Sequence, residues 1–370
     1  MELELDGTKI NLYHDRIRAW ARGERIAPIT IDMALTTSCN MRCIFCYGQL
    51  QKNTNKIIKK QHMTRFLEDA ADIGVQGISL VSDGESSISP AFTHSIQYGS
   101  RLGLAMATGT NAYLVKGKLL EDVLPHLTYL RVNISAGEES RYNEIMGAHG
   151  DMYSQVCKNI ESMVAMKQRG DTSCTIGMQM VLMPEFVDQV LPLSRLAINL
   201  GVDYLIIKHC SDDEEGRLGV NYGGYAGISK TLEKAESLST DRTRIIVKWS
   251  KINECDSNGT NRSYSQCYGV PFIIQLSGTG LVAPCGMLFH ERYKSYHMGN
   301  ITESSFKSIW QSDRYWEVIR HLASKEFDAK TQCGSLCLQH SVNKYLDAYM
   351  NHGMELIDPT GKPPLHKEFI

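Results

Sequence analysis

From residue 25 to residue 210, short apolar runs of strand length alternate with longer amphipathic stretches. The runs are 29–35, 76–82, 104–108, 129–135, 175–183 and 204–208. Helix-like amphipathic segments lie between them at 90–102, 153–169 and 184–200, and another, 12–22, precedes the first run. Runs this short cannot be told from buried helix by periodicity alone. Their alternation with amphipathic segments nevertheless predicts an α/β chain of six parallel strands joined by crossover helices. In parallel α/β barrels the loops at the C-terminal ends of the strands carry the chemistry, so those loops are where reactive groups are expected.

Past residue 210 the pattern changes. Residues 211–261, with a Gly-rich stretch at 219–227 and the pair Asn258-Gly259, read as a bridging region with one helix and one strand. Between Cys267 and Cys285 an apolar run and a Gly-rich turn predict a β-hairpin, which would bring its two flanking thiols together. The expected organisation is a lead segment (1–24), a barrel (25–210), the bridge (211–261), a smaller C-terminal domain (262–340) and a final helix and tail (341–370).

A chain of 370 residues with 42% hydrophobic content can build one large core and a smaller attachment. Its formal net charge of -2 provides no basic excess, so nucleic acid is not an expected partner. Met1 leads into Glu2, Glu4 and Asp6 without the basic and apolar regions of a signal peptide, and no stretch is apolar for long enough to cross a bilayer. A cytoplasmic protein with no membrane association is expected. In that compartment eleven cysteines point to metal or redox chemistry rather than to disulfides.

Three of them, Cys39, Cys43 and Cys46, form C-x3-C-x2-C in the loop after the first strand. Structural zinc closes its tetrahedron with four protein ligands, whereas a four-iron cluster held by three thiolates keeps one iron open. The loop resembles that of the radical S-adenosylmethionine (SAM) superfamily, with Phe45 as the aromatic residue before the last cysteine. The resemblance covers roughly residues 25–210 and implies a partial (β/α)6 TIM barrel with a smaller C-terminal α+β iron-sulfur extension. It also implies that the open iron of a [4Fe-4S] cluster chelates SAM, which one electron cleaves to a 5'-deoxyadenosyl radical. A flavodoxin- or ferredoxin-type donor is the implied source of that electron.

Other positions carry the same resemblance. Asp83, Gly84 and Glu85 match the family's Gly-Gly-Glu turn with Asp83 in the first glycine's place, and in the family the backbone of this turn binds the methionine ammonium. Ser135 resembles the serine that contacts the ribose; its hydroxyl can donate and accept, as a diol requires. Gln179 sits where relatives carry a polar residue reaching the cofactor, and Phe45 could pack against adenine. An ordinary Asp-Gly turn and polar side chains satisfied in the core are the alternatives.

Cys267, Cys285, Cys333 and Cys337 form a second set. The spacing C-x12-G-x4-C, followed by Gly299-Asn300-Ile301 and Ile309-Trp310, resembles the twitch or SPASM extensions of radical SAM enzymes over roughly 262–340. Four cysteines supply one auxiliary [4Fe-4S] cluster rather than two, which implies a truncated, twitch-type extension. Zinc would also accept four thiolates.

Of the remaining cysteines, Cys157 and Cys174 read as core fillers, and Cys255 falls in the bridge. Cys210, at the mouth of the sixth strand, is a candidate hydrogen donor to a substrate radical, as in related epimerases. Lys208 and His209 are candidate proton acceptors for an oxidation, and the run 212–215 reads as a solvated acidic loop. The expected activity is dehydrogenation or epimerisation of a small polar molecule such as a sugar or aminoglycoside precursor. Maturation of a ribosomally made peptide is the alternative within the same chemistry. A non-catalytic iron-sulfur protein for electron transfer or sensing is the alternative of another class.

Overall fold

The computed structural model describes residues 3–5, 7–51, 55–256, 259–334 and 337–370, without the side chains of 255, 256, 259 and 260. The Cys255 side chain, Asn258, Ser335, Leu336 and the leading Met1, Glu2 and Asp6 lie outside the described residues. The strands are β1 (Thr30–Met33), β2 (Gly77–Leu80), β3 (Ala105–Thr110), β4 (Tyr129–Asn133), β5 (Thr175–Leu182), β6 (Tyr204–His209), β7 (Arg244–Val247), β8 (Cys255–Asp256), β9 (Gly259–Thr260), β10 (Ile273–Leu276), β11 (Leu281–Ala283) and β12 (Gly299–Asn300). The helices before the bridge are α1 (His14–Ala21), α2 (Lys60–Ile73), α3 (Phe92–Arg101), α4 (Gly117–Val123), α5 (Glu139–Met146), α6 (Met152–Gln168) and α7 (Val190–Leu200). After it come α8 (Ser229–Glu236), α9 (Trp249–Ile252), α10 (Phe306–Gln311), α11 (Asp313–Leu322) and α12 (His340–Asn351).

The main sheet runs β12-β11-β10-β1-β2-β3-β4-β5-β6-β7. From β10 through β7 every ladder is parallel, and helices cover the outer face, as a partial TIM barrel requires. The six expected strands are present in order. Two additions were not legible in the sequence. β7, read only as a strand of the bridge, continues the barrel beside β6. β10, the first strand of the expected hairpin, pairs with β1 at the other edge, so the C-terminal region is continuous with the barrel sheet.

The outer helices dock by ordinary amphipathic stripes. In α2, Met63, Phe66, Leu67 and Ala70 recur at helical spacing and are buried. Gly74, at φ +94, then caps the helix in a conformation that L side chains rarely adopt. Phe66 meets Phe306 of α10 edge-on with ring centroids 5.2 Å apart, which seats the C-terminal helices on the barrel wall.

The strands are built the other way round. In β4, Leu130 and Val132 are buried outward against the helices, while Tyr129, Arg131 and Asn133 alternate onto the inner face. This leaves a polar lumen. Its floor, at the N-terminal ends of the strands, is closed by residues 366–370: Thr30 Oγ1 donates to the Glu368 carbonyl at 2.8 Å, and Phe369 meets Tyr129 edge-on at 5.0 Å. A Cβ on Gly77 would lie 2.8 Å from the Glu368 carbonyl oxygen, so this closure needs glycine there.

Candidate active site between two cysteine sets

Cys39, Cys43 and Cys46 sit on the loop that leaves β1, followed by a single 3-10 stretch, Tyr47–Gln51. Three close backbone approaches hold this loop. A Cβ on Gly84 would lie 2.0 Å from the Thr36 carbonyl oxygen, one on Gly278 would lie 2.1 Å from the Thr36 carbonyl carbon, and one on Gly147, at φ +58, would lie 2.5 Å from the Arg42 carbonyl oxygen. Only glycine lets chains meet this closely. Burial and the neighbouring Cys46 and Cys39 hold the Cys43 thiol well above its ordinary pKa; burial also raises that of Cys46. Ionising all three together would call for a compensating positive body.

The turn after β2 ties the loop to the rest of the molecule. The Glu85 N–H donates to the Ser38 carbonyl at 2.9 Å. Its carboxylate accepts from the Ser87 N–H and hydroxyl, from the Thr110 hydroxyl at 2.7 Å and from the Asn111 N–H at 2.8 Å. Asp83 is buried and faces the β10–β11 hairpin, accepting from the Ser277 hydroxyl at 2.6 Å and the Gly278 N–H at 2.9 Å. The residue standing where the family pattern has glycine thus joins the turn to the C-terminal region. Ser135 is buried, and its hydroxyl accepts from the Val181 N–H at 3.1 Å. Gln179 donates to Asn133 at 2.7 Å and lines the lumen. Phe45 packs against the core, and its carbonyl accepts from Cys210.

The lumen is a cavity of ≈ 250 Å³. Asp32 of β1, Arg131 of β4, Gln179 of β5, Lys208 of β6 and Gln275 of β10 line it, with Tyr47 from beside Cys46. Burial, opposed by the charges of Arg131 and Lys208, raises Asp32 to about 6. Burial together with the charges of Arg131 and Lys251 lowers Lys208 to about 7. Alternation sends His209 to the opposite face of β6, where it is buried and neither ring nitrogen has a partner. Cys210 is fully buried; its thiol donates to the carbonyls of Phe45 at 3.7 Å and Ser211 at 3.6 Å, and burial pushes it up to about 12. Asp212 and Asp213, expected in a solvated loop, are also buried: Asp212 accepts from the Leu218 N–H, and Asp213 pairs with Arg217 and Arg292.

The second cysteine set borders the same cavity. Asn343 of α12 donates to the sulfurs of Cys267 and Cys337, 3.6 Å to each. Lys251, on the lumen wall, donates to the Cys337 carbonyl at 3.2 Å, and Gln275 accepts from the N–H of Gly286, next to Cys285. Gln339 also lines the lumen and donates to the carbonyls of Ile273 and Pro284. The sequence reading missed Asp32, Arg131, Lys251, Gln275 and Asn343. For Asp32 and Arg131 a signal existed: a charged residue between apolar neighbours in mid-strand.

Residues 33–196 match the family model described as the radical SAM superfamily, and residues 267–338 match SPASM, described as an iron-sulfur cluster-binding domain. The chain is a radical SAM protein with a SPASM domain. This radical SAM protein is 20% identical, over 302 residues, to the tungsten-containing aldehyde ferredoxin oxidoreductase cofactor-modifying protein of Pyrococcus furiosus, a match covering 76% of this chain and 81% of the relative. It is 23% identical over 328 residues to the AdoMet-dependent heme synthase of Methanosarcina barkeri, covering 83% and 88%. The crystal structure of Streptococcus suis SuiB bound to its precursor peptide SuiA shares the fold, with a TM-score of 0.62 at 16% identity over 89% of this chain and 74% of SuiB.

The radical SAM domain implies SAM and a [4Fe-4S] cluster, and the SPASM domain implies auxiliary iron-sulfur chemistry. The residues of this radical SAM protein fit both. Three thiols on one loop suit a cluster with a vacant iron, and two thiols of the second set, Cys267 and Cys337, accept from one amide donor, the kind of hydrogen bond that tunes cluster sulfurs. Among the described residues no three His, Cys, Asp or Glu side chains converge tightly enough for a single metal ion, and thiols around a polynuclear body stand farther apart than that. No helix among the described residues is long and apolar enough to cross a membrane.

Proposed function

We propose that this protein is a radical SAM oxidoreductase that dehydrogenates a small polar molecule held in the barrel lumen. Cys39, Cys43 and Cys46 would hold the SAM-binding cluster, and Cys267, Cys285, Cys333 and Cys337 one auxiliary [4Fe-4S] cluster. When bound, SAM and the two clusters supply hydrogen-atom abstraction from a substrate C–H and an acceptor for the second electron, with a flavodoxin- or ferredoxin-type protein as donor. The protein's residues have the remaining tasks. Phe45 and the backbone of Asp83, Gly84 and Glu85 border the SAM position, with Ser135 and Gln179 further round the barrel. Lys208 takes the hydroxyl or amine proton that leaves as a C–OH becomes C=O or a C–NH becomes C=N.

One observation carries oxidation over epimerisation. Lys208 faces the lumen with its ordinary basicity reduced to about 7, close to what a general base needs, whereas Cys210 is fully buried on two carbonyls. The names of the two relatives, a heme synthase and a cofactor-modifying protein, support a non-peptide substrate. The test is anaerobic reconstitution followed by incubation with deuterated candidate substrates, free or within a peptide. Deuterium should pass into 5'-deoxyadenosine, product should fall in Lys208→Gln and persist in Cys210→Ala. Loss of product only in Cys210→Ala would replace oxidation by epimerisation. Reconstituted protein that leaves SAM intact would end the radical reading.

A further inference from the structure

Arg131 stands apart from the other buried or half-buried arginines. Arg262, whose Nε is likewise unpartnered, donates through its other two nitrogens to the carbonyls of Ala329 and Gly334, and Arg217 and Arg292 share Asp213. Arg131 projects from mid-β4 into the lumen, its Nε is buried without a hydrogen-bond partner, and its guanidinium carbon lies 5.8 Å from the Tyr129 ring centroid. Its register neighbours on both sides are glycines, Gly109 on β3 and Gly177 on β5, whose places are taken by neighbouring side chains: a Cβ on Gly177 would lie 2.1 Å from Cζ of Tyr204, and one on Gly109 2.9 Å from Val81 Cγ2.

A planar, permanently charged fork with an unsatisfied donor, in a cavity with few anions, is an incomplete recognition element. Leaving such a donor unpaired in a buried place is costly, so a ligand that brings an acceptor to it is favoured. The acid lining the same cavity, Asp32, already accepts from Gln275 at 3.4 Å. Against it Lys9, Arg131, Lys208, Lys248 and Lys251 line the same cavity, an excess of positive charge that suits an anionic ligand.

We propose that Arg131 anchors the substrate by a carboxylate. The carboxylate lies deep in the barrel, and the carbon to be oxidised lies above it, beside Lys208, which is four residues farther along β6 than Tyr204, the register partner of Gly177. This rests on reading the lumen as the substrate site. It makes the substrate a carboxylic acid, either a small molecule or a peptide carboxylate, rather than a neutral or cationic sugar.

The test is ligand-observed NMR on the anaerobically reconstituted full chain. The probes are butanoate against butanamide, trialanine against its C-terminal amide, and inorganic phosphate. Butanoate should bind roughly tenfold or more tightly than its amide, the scale of one charge-assisted hydrogen bond. A preference confined to butanoate identifies a small acid, and one shared by trialanine admits a peptide carboxylate. Arg131→Gln should bring the acid-to-amide ratio close to one, and Arg131→Lys should restore part of it. SAM binding, followed in the same samples through the cluster spectrum, reports that the variants are folded. Equal binding of butanoate and butanamide, a ratio unchanged in both Arg131 variants, or tighter binding of phosphate than of either acid overturns the proposal. Because these are binding measurements, failure of SAM cleavage would remove the radical reading and leave the anchor standing.

Discussion

The two cysteine sets solve one problem in opposite ways. Cys39, Cys43 and Cys46 lie within a single loop, and the first of them is exposed at the barrel mouth. Cys267, Cys285, Cys333 and Cys337 come from the segments before β10, after β11 and ahead of α12, and Asn343 hydrogen-bonds two of them, Cys267 and Cys337. Three thiols leave room for an exchangeable ligand; four close the shell. The difference teaches that a site which must admit a cofactor can be written locally. On the proposed reading the second site passes electrons beside a substrate, and its assembly from distant segments depends on where the fold puts them.

The largest expected effect tests that division directly. Cys43→Ala should abolish 5'-deoxyadenosine formation altogether. Cys285→Ala should lower iron content and stop product while SAM cleavage continues, measured by chromatography of 5'-deoxyadenosine and iron analysis on the same preparations. If Cys285→Ala also ends SAM cleavage, the two sets are not functionally separable and the comparison fails.

Next comes the lumen between them. Lys208→Gln should lower product formation by roughly 10²–10⁴-fold, the usual contribution of a positioned base. The neutral amine is the active form, so kcat/KM of the intact enzyme should rise with pH through about 7 and then level. Arg131 on β4, Lys251 on α9, Cys210 after β6 and Asp32 on β1 set that midpoint. Disappearance of this acid limb in Lys208→Gln would sharpen the assignment, and an unchanged profile would end it.

A smaller effect concerns the clamp that joins the two regions. Asp83→Ala leaves the Ser277 hydroxyl and the Gly278 N–H without their buried acceptor and should cost roughly 2–4 kcal/mol, read from denaturant unfolding. Smaller still is Thr110→Val, which removes one of several donors to Glu85 and should cost about 1–2 kcal/mol by the same measurement. Equal effects would mean that the clamp is no more than another buried hydrogen bond.

The cysteine loop and the six-strand rhythm were legible because each is encoded within a few residues: a spacing in one case, an alternation in the other. The inner face of the barrel was less so. Arg131 and Asp32 sit in runs read as apolar strands, and the direction each faces depends on which side the helices cover. Asp83 looked like a weakened cofactor turn until Ser277, nearly two hundred residues away in sequence, supplied its partner. Asp212 and Asp213, charged and next to two glutamates, looked solvent-facing but serve as buried ties.

By itself the sequence determined the thiolate tripod, the parallel α/β rhythm and the presence of a second cysteine group, since local spacing and hydrophobic period survive without knowledge of what packs against them. Tertiary structure alone decided that β10 joins β1, that a polar lumen lies between the two cysteine sets, and that Arg131 faces into it without a hydrogen-bond partner for Nε. Those outcomes depend on register and close approach between segments far apart along the chain, and no local pattern carries that information.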